Sequence, residues 1–297
     1  MQSDTLEGLP IFVRVVREGS FSAAARALDL TPSAVSKQIG RLEDRLSVRL
    51  FNRTTRRLGL TEEGAAFYER ASRILADLED AAQSVSSLKA VPRGRLRVTL
   101  PTAFGILHLL PALPDYIARH PEVTLEIDLN DRFVNMVEEG FDLALRIGDL
   151  EDSSLVGRRL AANRRVLAAA PAYLAGRPTP ERPEDLAGHD CLIYTYRAQR
   201  HDWRLVDEAG QESFVSVSGK LETNNPMMLR EAALSGLGIV LLPLWIIGPD
   251  LKAGRLQRIL PTHHWPDSAI HAVYPPGRHL SARVRSFVDF LVERFAE

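Results

Sequence analysis

Apolar positions in the first sixty residues fall into helical registers separated by abrupt stops. Leu6, Leu9, Phe12, Val13 and Val16 recur three and four residues apart, which predicts an amphipathic helix over residues 6–17. Gly19 ends it. Ser20 or Ser22 can cap a second, short helix, in which Ala23, Ala24, Ala25, Ala27 and Leu28 combine high helix propensity with small side chains that admit a close neighbour. Asp29-Leu30 breaks that pattern. Thr31-Pro32, a capping hydroxyl followed by proline at the first helical position, then starts a third helix over 32–46.

The third helix has two unlike faces. At about 100° per residue, Val35, Ile39, Leu42 and Leu46 form one stripe. Ser33, Lys37, Gly40 and Arg41 lie roughly opposite, with Ser36 at the flank. Gly40 costs roughly 1 kcal/mol in a helix interior, which fits either close approach to a sugar-phosphate backbone or a solvated face that tolerates it. Small side chains near the helix start and cations further along suit a helix lying in a DNA major groove. Helix, short alanine-rich helix, tight turn and capped helix make a helix-turn-helix. In Val48–Thr61, the apolar Leu50, Phe51, Leu58 and Leu60 flank a basic, threonine-rich tip. That reads as a hairpin wing presenting Arg53, Arg56 and Arg57 to phosphates or the minor groove.

Residues 62–89 predict one long helix. Phe67, Ala71, Ile74, Leu78, Ala81, Val85 and Leu88 alternate four and three apart, a coiled-coil seam that favours a partner helix over the helix's own domain. Val91-Pro92-Arg93-Gly94 reads as a linker. Beyond it strands and helices alternate: strand 96–100, helix 102–119 capped by Thr102, strand 123–129, helix 133–139, strand 142–147, strands 155–160 and 165–170, strand 216–221, helix 226–234, strand 238–242, strand 269–274 and helix 281–295. The repetition predicts parallel sheets with right-handed crossovers, arranged as two similar βαβ lobes.

Charge sharpens this reading. The chain carries a formal charge of −1, but residues 1–60 carry +4, residues 61–90 carry −3 and the remainder −2. A basic N-terminal module suggests that this end meets a polyanion, although +4 over sixty residues also falls within ordinary scatter. The single cysteine, Cys191, excludes an internal disulfide. The longest apolar run, Ile239–Ile247, is interrupted by Pro243 and is far short of the roughly 20 residues of a membrane span. With no signal peptide visible in MQSDTLEGLP, the expectation is a cytoplasmic protein without membrane contact.

The stretch from Phe12 to Gly64 closely resembles the winged helix-turn-helix of LysR-type transcriptional regulators. Gly19-Ser20-Phe21-Ser22, Ala24-Ala25, Ser36-Lys37-Gln38-Ile39, Leu42-Glu43, Leu50-Phe51, Arg53 and Leu60-Thr61-Glu62-Glu63-Gly64 all match. Many members carry Gln-Pro where this chain has Pro32-Ser33, so one base-reading amide is absent and half-site specificity should differ. The resemblance implies that Ser33, Ser36 and Lys37 face bases and that Arg53 and Arg56 touch backbone or minor groove. Thr31, Pro32, Arg41 and Arg57 complete the candidate DNA surface.

The same resemblance implies an α/β architecture: a winged helix-turn-helix (1–61), a linker helix for dimerisation (62–90) and a two-lobed periplasmic-binding-protein-like effector domain (91–297). Lobe I would be about 91–161 and 269–297, and lobe II about 162–268. The partners implied are double-stranded DNA, a small-molecule effector that is often anionic, further copies of the chain as a dimer or tetramer, and RNA polymerase.

Ligands of open α/β sheets sit beyond the carboxyl ends of strands. That rule selects Thr102, Ala103 and Phe104, then Gly148 and Asp149, then Thr223, Asn224 and Asn225 as effector contacts, although Thr102, Thr223 and Asn224 also read as ordinary caps. Arg146, in an otherwise apolar strand, requires a partner: a ligand carboxylate, or an internal acid such as Asp128 or Asp149. Trp203 either walls the cleft or packs in the core. Neither zinc spacing nor a P-loop nor GxSxG occurs, and Gly236-Leu237-Gly238 follows a helix, the wrong context for a dinucleotide fingerprint. No catalytic residue, metal or cofactor is expected. The rival class is an enzyme or solute-binding domain with a basic appendage.

Overall fold

The computed structural model describes residues 8–52, 58–86, 91–148, 155–197, 199–275 and 280–295. The chain divides into two compact units, Met1–Ala90 and Val91–Glu297. In the first unit, α1 (Leu9–Glu18), α2 (Phe21–Ala27) and α3 (Pro32–Leu46) precede a two-stranded hairpin, β1 (Phe51–Asn52) and β2 (Gly59–Leu60), and a long helix, α4 (Glu62–Ser86). Local chemistry sets each boundary. Gly19 closes α1 in the left-handed region at φ 63°. Ser20 Oγ accepts the Ala23 N–H at 3.3 Å to open α2, and Thr31 Oγ1 accepts the Ala34 N–H at 3.2 Å to open α3.

Phe12 organises the core of this unit. Its ring meets Phe51, Phe67 and Tyr68 at centroid distances of 5.4, 5.3 and 6.3 Å, while Val35, Ile39 and Leu42 close the other side. Phe67, Tyr68, Ala71 and Leu75 of α4 pack into the same core. The expected seam is therefore split. Phe67 and Ala71 face their own domain, and Leu75, not Ile74, continues their face, because a helix held on a globular core follows a 3.6-residue rather than a 3.5-residue period. Ile74 and Leu78 are 51% and 63% exposed. The side chains of Ala81 and Val85, and Leu88, lie outside what is described.

One carboxylate joins α3 to the hairpin. Glu43, 5% exposed, accepts the Arg49 guanidinium at 2.8 Å and the N–H groups of Leu50 and Phe51 at 2.8 and 3.2 Å. Burial alone would raise its pKa, but these donors outweigh it and hold Glu43 below the usual carboxylate range. Close packing completes the joint. A Cβ on Gly64 would lie 2.0 Å from the Leu50 carbonyl oxygen, so only glycine lets α4 cross there.

The second unit is built on two five-stranded sheets. The first has the order β4-β3-β5-β14-β6, from β3 (Gly94–Leu100), β4 (Val123–Leu129), β5 (Leu143–Ile147), β6 (Val156–Asn163) and β14 (Ser268–Tyr274). The second has the order β11-β8-β12-β7-β13, from β7 (Arg165–Ala169), β8 (Cys191–Tyr194), β11 (Glu222–Thr223), β12 (Ile239–Pro243) and β13 (Gln257–Ile259). In each sheet four strands run one way and one strand, β14 in the first sheet and β7 in the second, runs against them, which corrects the expectation of parallel sheets. β14 returns from the second sheet and enters the first antiparallel to β5 and β6.

Helices cover the sheets: α5 (Thr102–Phe104) running through a π-helical turn, Gly105–Leu109, into α6 (Leu110–Arg119), then α7 (Met136–Glu139), α8 (Pro171–Leu174), α9 (Pro226–Leu234), α10 (Leu244–Lys252) and α11 (Ala282–Phe295). β9 (Asp202–Val206) and β10 (Glu212–Ser216) form a separate hairpin. Residues 217–221, expected as strand, lie between β10 and β11. The helix expected from Phe133 begins only at Met136, because Asn135 Oδ1 caps it by accepting the Val137 and Glu138 N–H groups at 3.2 and 3.4 Å. No helix among the described residues is long and apolar enough to cross a membrane.

Replacing Glu43 with alanine strips the acceptor from two buried N–H groups and should lower the stability of the first unit by about 2–4 kcal/mol in urea unfolding. The wild-type advantage should be full above the ordinary glutamate pKa of 4.5 and vanish as pH falls through the lowered native value. A loss below about 0.5 kcal/mol would contradict this role for the carboxylate.

Candidate DNA interface and effector cleft

The face of α3 opposite its buried stripe is open. Pro32, Ser33, Ser36, Lys37 and Arg41 are exposed. A Cβ built on Gly40 meets nothing within 4 Å. Thr31 is exposed too, but its Oγ1 is engaged with the Ala34 N–H and, at 3.0 Å, with Ser33 Oγ. It therefore sets the helix start and the Ser33 rotamer. The antiparallel pairs Phe51↔Leu60 and Asn52↔Gly59 bring the two arms of the wing together. Arg53, Arg56 and Arg57 lie outside the described residues.

In the second unit a cavity of about 790 Å³ opens between the two sheets. The first sheet contributes Thr99–Pro101 and Ala103, Asn130–Phe133 and Arg146–Gly148. The second contributes Arg165, Tyr194, Tyr196, Arg197 and Leu241–Pro243, with Pro226 and Trp245 from the following helices. These are mostly strand ends, where the topology rule places a ligand. Of the residues expected from sequence, Ala103, Arg146 and Gly148 line the cavity, and Asp149 lies outside the described residues.

The others are corrected. Thr102 is not the capping residue; its hydroxyl and N–H lie near the Asp131 carboxylate and act to lower its pKa. Phe104 is buried, with its ring 5.7 Å from that of Trp245. Trp203 is 2% exposed in the core of the second lobe, because the β9–β10 hairpin that carries it packs there rather than at a strand end. Thr223 accepts the Asn225 N–H at 3.2 Å, Asn225 caps α9, and Asn224 donates to the Tyr196 hydroxyl at 3.0 Å. None of these three lines the cavity: Thr223 and Asn225 close the turn into α9, and Asn224 is bonded to Tyr196. Arg146 is not paired with Asp128, and the alternative partner Asp149 lies outside the described residues. Arg146 donates to the carbonyls of Val134 at 2.7 Å and Arg132 at 3.3 Å and stacks under Phe133 at 4.4 Å.

The groups that set the electrostatics of the cavity escaped sequence reasoning. Arg197 is half-buried over the Trp265 ring at 4.4 Å. Burial, then the neighbouring Arg165, pushes its pKa down to about 9, which leaves it a cation at neutral pH. Among the described residues it has no carboxylate partner. Burial pushes the Tyr194 phenol well up, reinforced by Asp131. Burial also raises the Asp131 carboxyl, against the two Thr102 hydrogen bonds. Arg132 is engaged with Glu139 at 2.8 Å. Tyr194 and Arg197 were hidden because β8, four residues long, is too short for an apolar run to be told from a buried helical turn. Cys191 is buried and its thiol is raised to about 12, so it stays protonated.

A winged helix-turn-helix with a bare recognition face and a two-lobed domain enclosing a ligand-sized cavity define a ligand-responsive DNA-binding regulator. Comparison with known proteins places it further. Residues 6–65 match the bacterial regulatory helix-turn-helix protein, LysR family, and residues 89–296 match the LysR substrate binding domain. The chain is similar to an uncharacterized HTH-type transcriptional regulator of Haemophilus influenzae, 37% identical and covering 95% of this chain and 97% of that one. It is similar also to the HTH-type transcriptional regulator CrgA of Neisseria meningitidis serogroup C, 38% identical over 97% and 96% of the two chains. The solved structure of CrgA, a LysR-type transcriptional regulator from Neisseria meningitidis, aligns at a TM-score of 0.62 and 37% identity over 97% of each chain. The chain belongs to the LysR family of transcriptional regulators. It is a DNA-binding regulator with a ligand-binding regulatory domain.

If the bare side of Gly40 lies against DNA, Gly40→Ala should separate two properties. The free protein should gain roughly 0.5–1 kcal/mol of stability, while affinity for operator DNA falls. Unfolding curves and fluorescence anisotropy on one preparation check both, and unchanged affinity would return the glycine to a merely solvated face.

Proposed function

We propose that this regulator reads DNA with Ser33, Ser36, Lys37 and Arg41 of α3 laid in the major groove. Thr31 and Pro32 set the helix start, and Arg53, Arg56 and Arg57 reach backbone or minor groove from the wing. Residues 1–61 form the DNA-binding domain, 62–90 the linker helix and 91–297 the effector domain, with the lobes divided near residues 161 and 268. Two copies paired along the exposed Ile74 and Leu78 of α4 would present two recognition helices to a two-fold half-site pair; a tetramer would join two such pairs. The protein works in the cytoplasm without catalysing a reaction, and RNA polymerase is the partner through which DNA binding acts on transcription.

The effector is a small organic anion held between the lobes. The observation that carries this is Arg197: a cation stacked on Trp265 beside Arg165, desolvated and without an acid among the described residues. Such a charge is costly until a counter-ion arrives, so an anion gains there what the free protein forgoes.

A route from cavity to hinge supports the regulatory reading. Trp245 lines the cavity, and its indole N–H donates to Asn163 Oδ1 at 2.8 Å. Asn163, fully buried at the end of β6, donates in turn to Ser268 Oγ at 2.9 Å where β14 begins. Arg164 and Asp267 pair alongside at 3.2 Å. These are the two segments that cross between the sheets. A ligand that moves Trp245 therefore bears on the crossing itself and biases the angle between lobes, a coupling typically worth 1–3 kcal/mol.

A thermal-shift screen of small organic acids on the full-length protein tests the anion reading. Acids should raise the melting temperature of the wild type. Arg197→Gln should abolish the shift while leaving the free protein as stable as, or more stable than, the wild type. Acids that stabilise both proteins equally would contradict it. Separately, Leu78→Asp should convert the oligomer to monomer in light scattering and weaken operator binding; a fully oligomeric variant would remove Leu78 from the interface.

A further inference from the structure

The cavity is not uniformly basic. In the second lobe Tyr194 ends β8 and Arg197 lies in the turn that follows it. Facing them from the first lobe is Asp131, just beyond the end of β4 and close enough to Tyr194 for the two to interact electrostatically. The Thr102 hydroxyl and N–H lie beside its carboxylate. A carboxylate has about four lone-pair sites, more than the Thr102 groups can fill, and Asp131 lines the cavity. One wall thus offers a cation with no carboxylate partner among the described residues, and the other a carboxylate able to accept.

Resting on the anion reading above, we propose that the effector is bifunctional: an anionic group, such as a carboxylate, that pairs with Arg197, and a hydroxyl or ammonium group that donates to Asp131. A simple acid satisfies one lobe only. A hydroxy acid or amino acid satisfies both and ties the lobes together, so the same second group that confers selectivity also couples binding to the lobe angle. The discrimination should be strong, because a site built to receive a hydrogen bond leaves a buried acceptor unmatched when the ligand lacks the donor.

The test uses the full-length protein and isothermal titration with straight-chain carboxylates of two to eight carbons, each beside its 2-hydroxy, ω-hydroxy and ω-amino counterparts. In the wild type at least one substituted acid should bind at least about tenfold more tightly than its parent, the equivalent of about 1.4 kcal/mol. In Asp131→Asn, which keeps an oxygen to accept from Thr102, that ligand should fall to the affinity of its parent; circular dichroism and a wild-type-like melting temperature would establish that the variant is folded. Parent acids binding as well as their counterparts, or a preference that survives in Asp131→Asn, would overturn the bifunctional ligand and leave the anion reading intact. If no acid binds, or if Arg197→Gln leaves binding unchanged, the anion reading itself fails.

Discussion

The Glu43 carboxylate is the joint on which the DNA-reading half depends. It sits on the recognition helix, buried, and receives one guanidinium and two backbone donors from the start of the wing. An acid in that position cannot be solvated and cannot move without leaving the Leu50 and Phe51 N–H groups unmatched. It therefore fixes the helix relative to the hairpin, while Val35, Ile39 and Leu42 fix its rotation against the core. Once both are set, Ser33, Ser36, Lys37 and Arg41 have no direction left but outward. The bare face of α3 is a consequence of what its other face must bury.

The regulatory unit works from the opposite condition. Where Glu43 is matched by three donors, Arg197 is a partly buried cation with no carboxylate partner among the described residues, and burial raises the Asp131 carboxyl. Local frustration of this kind marks a binding site, where stability is forgone for ligand recognition. The two lobes have like topologies, each sheet with four strands running one way and one against them, and meet through two short crossings bonded to one another at Asn163–Ser268 and Arg164–Asp267. Little material lies between the ligand and the hinge: Trp245 touches both.

What the sequence made legible follows from how local the cause was. Thr31-Pro32 predicts the start of α3 correctly because capping is decided within four residues, and Val35, Ile39 and Leu42 predict its buried face because period and core agree. The seam of α4 was legible only in part: spacing alone cannot say that Phe67 and Ala71 serve the domain's own core while Ile74 and Leu78 stay bare. The mixed sheets were not legible, since nothing in Ala269–Tyr274 distinguishes a strand that enters antiparallel from one that enters parallel. In the cleft, Ala103 and Gly148, selected by the strand-end rule, and Arg146, selected as a charge in an apolar strand, line the cavity. The strand-end rule assigned Thr223, Asn224 and Asn225 to a ligand, where the polar atoms of Thr223 and Asn225 close a turn and Asn224 bonds to Tyr196, and it passed over Asp131, Tyr194 and Arg197. Those residues acquire their character from burial and from each other, which no single stretch of chain records.

The outward face of α3 is tested most directly by salt-dependent binding of the full-length protein to duplex DNA from the intergenic region upstream of its own gene. Anisotropy titrations would compare the wild type with a Ser33→Ala, Ser36→Ala, Lys37→Ala triple variant. The expected result is a linear fall of log affinity with log salt, with a slope of about −0.9 per phosphate neutralised, together with a loss of affinity in the variant that differs between specific and scrambled sequences. Binding of the variant indistinguishable from the wild type on every sequence would contradict the assignment of α3 to the major groove.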